Sequence, residues 1–241
     1  MTSDAQATPP RSGKTAVISG AAGGIGRALA EGFLAAGYGV TGIDRAAPAW
    51  TAPGLTAAIL DIRDTTTVAA FGATLDRLDV LVNAAGIIRR GAEFELPVFE
   101  EVVDINLTGT MRLSTACRPA LAKAGGSIVN IASMLSFFGG RLVPGYSAAK
   151  GGIVTLTKSL AIAWAGDNIR VNAIAPGWIA TPMTDALRDD EARSRAILER
   201  TPMGRWGRPE DLVGPALFLA SPAAGFVTGT VLPVDGGYAA M

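Results

Sequence analysis

The chain has 241 residues, 49% of them hydrophobic, and its 21 basic and 21 acidic side chains leave no net charge. That length and apolar content suit one large core in a single domain over residues 13–241, and the neutral balance offers no electrostatic grip on nucleic acid or on an anionic membrane. With no histidine and one cysteine, Cys117, the chain has no imidazole base, no Ser-His-Asp triad, no internal disulfide and no Cys- or His-built metal centre.

Residues 1–12 are small, polar and proline-containing, without the apolar run of a signal peptide, and predict a disordered tail. No stretch approaches the ~18 uninterrupted apolar residues of a membrane span, so a cytoplasmic protein is expected. Short apolar runs then recur at Thr15–Ser19, Gly39–Ile43, Ala57–Leu60, Val80–Asn83, Ser127–Ser133, Ile169–Ala175 and Thr230–Val234. They lack polar alternation, as strands covered on both faces do. Helix-like segments separate them, at Ile25–Ala36, Thr65–Leu75, Phe99–Ala122, Tyr146–Ala165 and Pro209–Leu219. Strand followed by helix, repeated, predicts a doubly wound α/β three-layer sandwich on a seven-stranded parallel sheet. In such sheets ligands sit beyond the carboxyl ends of the strands, where Asp44, Asp61, Asn83, Ser133 and Pro176 fall.

The first strand ends in Ser19-Gly20-Ala21-Ala22-Gly23-Gly24-Ile25-Gly26, directly before an amphipathic helix. Glycines at 20, 24 and 26 let the turn tighten and let backbone N–H groups approach a pyrophosphate at the positive helix end. The spacing departs from the common Gly-x-Gly-x-x-Gly. Asp44 closes the second strand, eighteen residues after Gly26, where an acid can accept from both ribose hydroxyls of an adenosine. The same carboxylate repels a 2′-phosphate, which predicts NAD over NADP, and the adjacent Arg45 offsets part of that repulsion. Asp61 and Ile62, after the third strand, are placed to contact adenine, with a helix cap expected near Asp64.

Tyr146 and Lys150 stand four apart in a helical segment and so share a face, and Ser133 precedes the tyrosine by thirteen residues at a strand end. A phenol titrates near pH ~10, so using it near pH ~7 needs roughly 4 kcal/mol of differential stabilisation. A cation about 4 Å away at an effective dielectric of about 20 supplies roughly that much. The serine hydroxyl adds a second donor for a substrate carbonyl or alkoxide. An isolated Tyr-x-x-x-Lys is also a frequent chance pattern, so its weight comes from the rest of the chain.

From about Lys14 to Tyr238 the sequence resembles the short-chain dehydrogenase/reductase family of single-domain type. The loop Ser19–Gly26 is similar to the family's cofactor loop, with Ser19 where threonine is usual. Asn83-Ala84-Ala85-Gly86 resembles the family's Asn-Asn-Ala-Gly motif with its second asparagine changed to alanine, a change that leaves Asn83 to brace the fourth strand, and the resemblance also implies cofactor contacts from Asn83, Ala84 and Gly86. Asn106, in Asp-Ile-Asn-Leu-Thr-Gly, matches the family's catalytic asparagine. Asn, Thr and Gly clustered inside a helix are poor helix formers and predict a local distortion there. The resemblance implies a tetrad of Asn106, Ser133, Tyr146 and Lys150. In it Tyr146 exchanges a proton with the substrate oxygen, Ser133 holds that oxygen, and Lys150 lowers the tyrosine pKa and binds the nicotinamide ribose. Pro176-Gly177, with Ile179 and Thr181, resembles the nicotinamide clamp.

Residues 181–208 are polar and charged between two prolines and predict a lid, although such charges also describe an ordinary solvated surface. Arg89, Arg90 and Arg141 approach the site from two loops and suit a carboxylate, with Ser133 and Tyr146 on the reacting oxygen. The segments around residues 83–90, 130–137 and 204–209 resemble the family's sugar-acid branch, which implies an acidic substrate such as 2-dehydro-3-deoxygluconate. The resemblance also implies a homotetramer. A 3-oxoacyl carrier-protein reductase and a dinucleotide-binding sensor without turnover are the competing readings.

Overall fold

The computed structural model describes residues 13–240, so the tail expected over residues 1–12 lies outside the described residues. Seven strands form one sheet: β1 (Thr15–Ser19), β2 (Gly39–Asp44), β3 (Leu55–Ile59), β4 (Val80–Asn83), β5 (Ser127–Ile131), β6 (Arg170–Pro176) and β7 (Val231–Val234). All neighbours pair in parallel in the order β3-β2-β1-β4-β5-β6-β7, as the uninterrupted apolar runs predict. β1 and β4 fall on their expected boundaries, and the other strands differ from the sequence expectation by one or two residues.

Alternate residues of each strand feed two cores. In β1, Ala16 and Ile18 pack with Leu29 and Phe33 of α1 (Gly24–Ala35) and with Ala216 and Leu219 of α8 (Val213–Ala220). Val17 points the other way, into the layer of α2 (Thr65–Ala73), α4 (Gly109–Ala124) and α5 (Pro144–Trp164), beside Leu113, Leu121, Leu160 and Trp164. Cys117 is buried in this second layer, and burial pushes its thiol up to about 12, so the lone cysteine is packing material.

The helix expected over Phe99–Ala122 is three pieces: α3 (Leu96–Val103), a π-helical turn over Asp104–Thr108, and α4. The cause is visible. Asn106 Nδ2 donates to the carbonyl of Val102 at 2.8 Å, taking the acceptor that an α-helical backbone bond would use, and Gly109 N–H reaches back five residues to Asp104. The distortion expected from Asn, Thr and Gly is therefore a one-residue register slip that turns Asn106 inward, fully buried. α5 begins two residues earlier than expected, with Pro144 in its first turn, where a missing N–H does no harm. The segment 181–208 holds two short helices, α6 (Asp185–Arg188) and α7 (Glu191–Glu199). No helix among the described residues is long and apolar enough to cross a membrane.

Candidate active site

Strand order reverses between β1 and β4, and a cleft of about 390 Å³ opens beyond their carboxyl ends. Gly20, Gly24, Ile25 and Gly26 form one wall, Asp44, Arg45, Asp61 and Ile62 the far end, Ala84 and Gly86 the inner end, and Thr181 the rim. Gly26 is obligatory: a Cβ there would lie 2.1 Å from the Gly20 carbonyl oxygen. α1 has Gly23 as its N-cap, no side-chain cap and no acid in its first turn, so its leading N–H groups open onto the cleft. Uncapped donors, a helix dipole and an acid at the adenosine end fit a dinucleotide.

Several residues expected to touch that ligand brace the cleft instead. Ser19 is buried, its hydroxyl accepting from the N–H groups of Ala84 (3.1 Å) and Ala85 (3.2 Å), so it ties the glycine loop to the β4 loop rather than facing the cleft. Asn83 is buried and donates to Ser114 Oγ (3.0 Å) and Asn130 Oδ1 (2.8 Å), while Asn130 donates on to Thr157 Oγ1 (2.9 Å). That chain pins α4 and α5 to β4 and β5. Pro176 ends β6, Gly177 lets the chain pass against the backbone of Asp235, and Ile179 is buried and bridged to Gly207. Of the expected clamp only Thr181 reaches the cleft, close to Gly24. Asp44 lines the cleft but already accepts from Ala22 N–H (3.1 Å) and Arg45 N–H (2.8 Å). Asp61 is held by Arg63, also a cleft residue, at 2.6 Å, and this pair holds the Asp61 carboxyl below the usual carboxylate range. Asp64 caps α2 as expected, accepting from Thr66 and Thr67 N–H.

At the inner end, four side chains from three elements converge. Ser133, capping a 3-10 turn after β5, faces the Tyr146 phenol, and its hydroxyl acts to lower the phenol pKa. Lys150, buried on α5, donates to the Ile131 carbonyl at 2.6 Å and lies 5.6 Å from the Tyr146 ring centroid. Asn106 donates through Nδ2 to Val102 and Ile87 carbonyls, and its Oδ1 is a buried acceptor with no partner among the described residues. Gly86 sits between the two: a Cβ there would lie 2.5 Å from Asn106 Oδ1 and 3.7 Å from Lys150 Nζ. The cleft's inner wall is therefore shared with the polar cluster.

A family model described as Enoyl-(Acyl carrier protein) reductase matches residues 20–239. The 2-dehydro-3-deoxy-D-gluconate 5-dehydrogenase of Escherichia coli (strain K12) is 43% identical over 243 residues, covering 95% of this chain and 96% of that protein. The chain belongs to the short-chain dehydrogenase/reductase family. A 2-dehydro-3-deoxy-D-gluconate 5-dehydrogenase of Bacillus subtilis (strain 168) is 41% identical over 240 residues, covering 94% of each chain. The solved gluconate 5-dehydrogenase of Burkholderia cenocepacia J2315, in complex with NADP and tartrate, superposes with a TM-score of 0.90 at 35% identity, covering 96% of this chain and 97% of that one.

Charge in this short-chain dehydrogenase/reductase is arranged differently from the sequence expectation. Burial pushes Tyr146 up to about 12; the Ser133 hydroxyl and the charge of Arg90 act downward, and Glu93 acts upward. Lys150 does not relieve this, because its ammonium is turned to the Ile131 carbonyl rather than the phenol oxygen, and burial pulls it down to about 8. The arginines also separate. Arg89 pairs with Glu101 at 3.6 Å, Arg141 is exposed, and Arg90 is the one whose charge reaches the phenol.

Sequence reasoning missed Arg63, Glu93 and Ser136. Arg63 had a local signal, two residues after Asp61. Ser136 links the Ser133 turn to α5 by donating to the Lys150 carbonyl at 2.7 Å, and Glu93 accepts from Tyr146 N–H at 2.8 Å. Neither partnership leaves a trace at short sequence range.

The buried lysine makes stability depend on pH with a definite sign. Below about pH 8 Lys150 is protonated in both states, and burial of the charge opposes folding. Between about 8 and 10.5 the unfolded chain holds the extra proton, so this contribution to stability rises with pH. Urea unfolding of the ligand-free protein across that window should show Lys150→Met losing the rise relative to the unchanged chain; parallel profiles would contradict a desolvated lysine.

Proposed function

We propose that this chain is a nicotinamide-dinucleotide-dependent dehydrogenase that interconverts a secondary hydroxyl and a ketone on a sugar acid of the 2-dehydro-3-deoxygluconate or gluconate kind. The observation that carries the reading is the convergence of Asn106, Ser133, Tyr146 and Lys150 behind Gly86, at the inner end of a dinucleotide-shaped cleft. Bound nicotinamide supplies the hydride acceptor or donor. Tyr146 gives its phenolic proton to the carbonyl oxygen in reduction and takes it back in oxidation, and Ser133 holds that oxygen. Lys150 presents its charge to the cofactor ribose. Asn106 Oδ1, a buried unpaired acceptor across Gly86 from the ammonium, is placed to hold a water that relays the proton between Lys150 and solvent. The segment 181–208 acts as a lid, with Thr181, Pro182 and Met183 at the cleft rim. A homotetramer is consistent with the exposed apolar side chains Met111, Ile162 and Phe226 on α4, on α5 and ahead of β7.

The acidic substrate is supported by the sugar-acid names of the relatives and by the position of Arg90. The acyl-carrier name of the matched family model favours a second reading, reduction of a thioester-linked ketone, which an acetoacetyl thioester tests in the same assay. Loss of nicotinamide absorbance with sugar-acid ketones supports the first reading, and activity confined to the thioester supports the second.

Three substitutions test the assignment. Tyr146→Phe should lower turnover by about a hundredfold to ten-thousandfold while NADH still binds by fluorescence titration; substantial residual turnover would remove Tyr146 from the chemistry. For the cofactor, we propose preference for NAD through Asp44, with Arg45 and Arg63 leaving NADP admissible. Asp44→Ala should shift the ratio of dissociation constants on the order of tenfold or more toward NADP, and an unmoved ratio would assign selectivity elsewhere. Arg90→Ala should raise KM for gluconate by roughly tenfold to a hundredfold, the loss of a charged hydrogen bond, and leave the KM for a neutral ketone unchanged. An unchanged KM would end the carboxylate-anchor idea for Arg90.

A further inference from the structure

Glu93 is one of the least exposed charged residues among the described residues, at 1%. It lies in a 3-10 turn (Ala92–Phe94), does not line the cleft, and forms no ion pair among the described residues. Its two carboxylate oxygens are used separately. Oε1 accepts from Arg89 N–H at 2.8 Å, in the loop that carries Arg90; Oε2 accepts from Tyr146 N–H at 2.8 Å, fifty-three residues further along. α5 has no cap from its own N-cap residue, Val143, and Pro144 has no N–H to satisfy. Glu93 therefore supplies from another element the acceptor that the first turn lacks, and the positive end of a 21-residue helix favours its charge. The fit is close: a Cβ on Gly145 would lie 3.4 Å from Glu93 Oε2 and 3.2 Å from Phe99 Cδ2. A second tie, Gly91 N–H to the Leu142 carbonyl at 2.8 Å, joins the same two segments.

We infer that Glu93 is a positioning residue for the proposed reaction: its carboxylate clamps the Arg90 loop to the first turn of the Tyr146 helix and so sets the guanidinium and the phenol relative to each other. This rests on the dehydrogenase reading above. A carboxylate is required because both donors are N–H groups; a carboxamide has one acceptor oxygen and would present its own N–H to the other donor. The clamp also carries charge to the site. Tyr146 is faced by the Ser133 hydroxyl from the turn after β5, by Arg90 from the β4 loop, by Lys150 one turn along α5 and by Glu93, whose charge opposes phenol ionisation.

The test compares Glu93→Gln, Glu93→Asp and the unchanged protein by thermal melting, NADH binding, kcat and KM for the oxidisable sugar acid across pH, and ultraviolet phenolate titration read as the difference from Tyr146→Phe. Glu93→Gln should lower kcat about tenfold, one charged hydrogen bond, and move the phenolate midpoint and the pH midpoint of oxidation downward, with NADH affinity unchanged. Glu93→Asp keeps the charge, so the midpoints should hold while the shorter reach still lowers kcat. Folded Glu93→Gln with unmoved midpoints, or Glu93→Asp with full kcat, overturns the inference; the Asp variant decides alone if the Gln variant does not fold. If the unchanged protein turns over no substrate, the dehydrogenase reading fails, while the phenolate titration still reports whether Glu93 governs Tyr146.

Discussion

The reversal of strand order between β1 and β4 is the constraint from which the rest of this molecule follows. Parallel strands joined by right-handed crossovers place α1 on one face and α2, α4 and α5 on the other, so the loops after β1 and β4 leave in opposite directions, while α8 returns to the α1 face on the way to β7. The crevice between them would gape without a tie across it, and Ser19 provides one by accepting two N–H groups of the β4 loop. The ligand cleft is thus a consequence of topology, held to width by a buried hydroxyl.

On the same side, the polar cluster depends on helices that are pinned rather than merely packed. The Asn83, Asn130 and Thr157 chain fixes α4 and α5 to the sheet, and the π-helical slip turns Asn106 into the space that Gly86 leaves open. Each member satisfies or competes for a backbone group, so the arrangement has few alternatives of similar energy. The site's electrostatics follow from this burial. Tyr146 is pushed up and Lys150 pulled down, the two shifts that desolvation imposes on an acid and a base, and the free chain keeps the phenol protonated and ready to donate.

Much of this was legible in the residues. Apolar runs without alternation identified parallel strands, the glycine loop before α1 identified one wall of the cleft, and Tyr146 with Lys150 four apart identified a shared helix face. Asn, Thr and Gly inside a helical segment marked the distortion at Asn106. Less legible were the partners. Ser19 stands at a strand end where a ligand contact is expected, and only its neighbour 65 residues away reveals it as a brace. Arg89, Arg90 and Arg141 are equivalent as letters, but Glu101 claims the first and solvent the last.

By itself, then, the sequence determined what repeats or recurs at short range: strand and helix periodicity, the turn that only glycines permit, the spacing that puts a phenol and an amine on one face. Those properties depend on backbone geometry, which neighbouring residues set. Tertiary structure decided the direction of each polar group, because a buried donor or acceptor turns to whichever partner the fold brings within about 3 Å. Lys150 turned to the Ile131 carbonyl, and Glu93 found Tyr146 across fifty-three residues of chain.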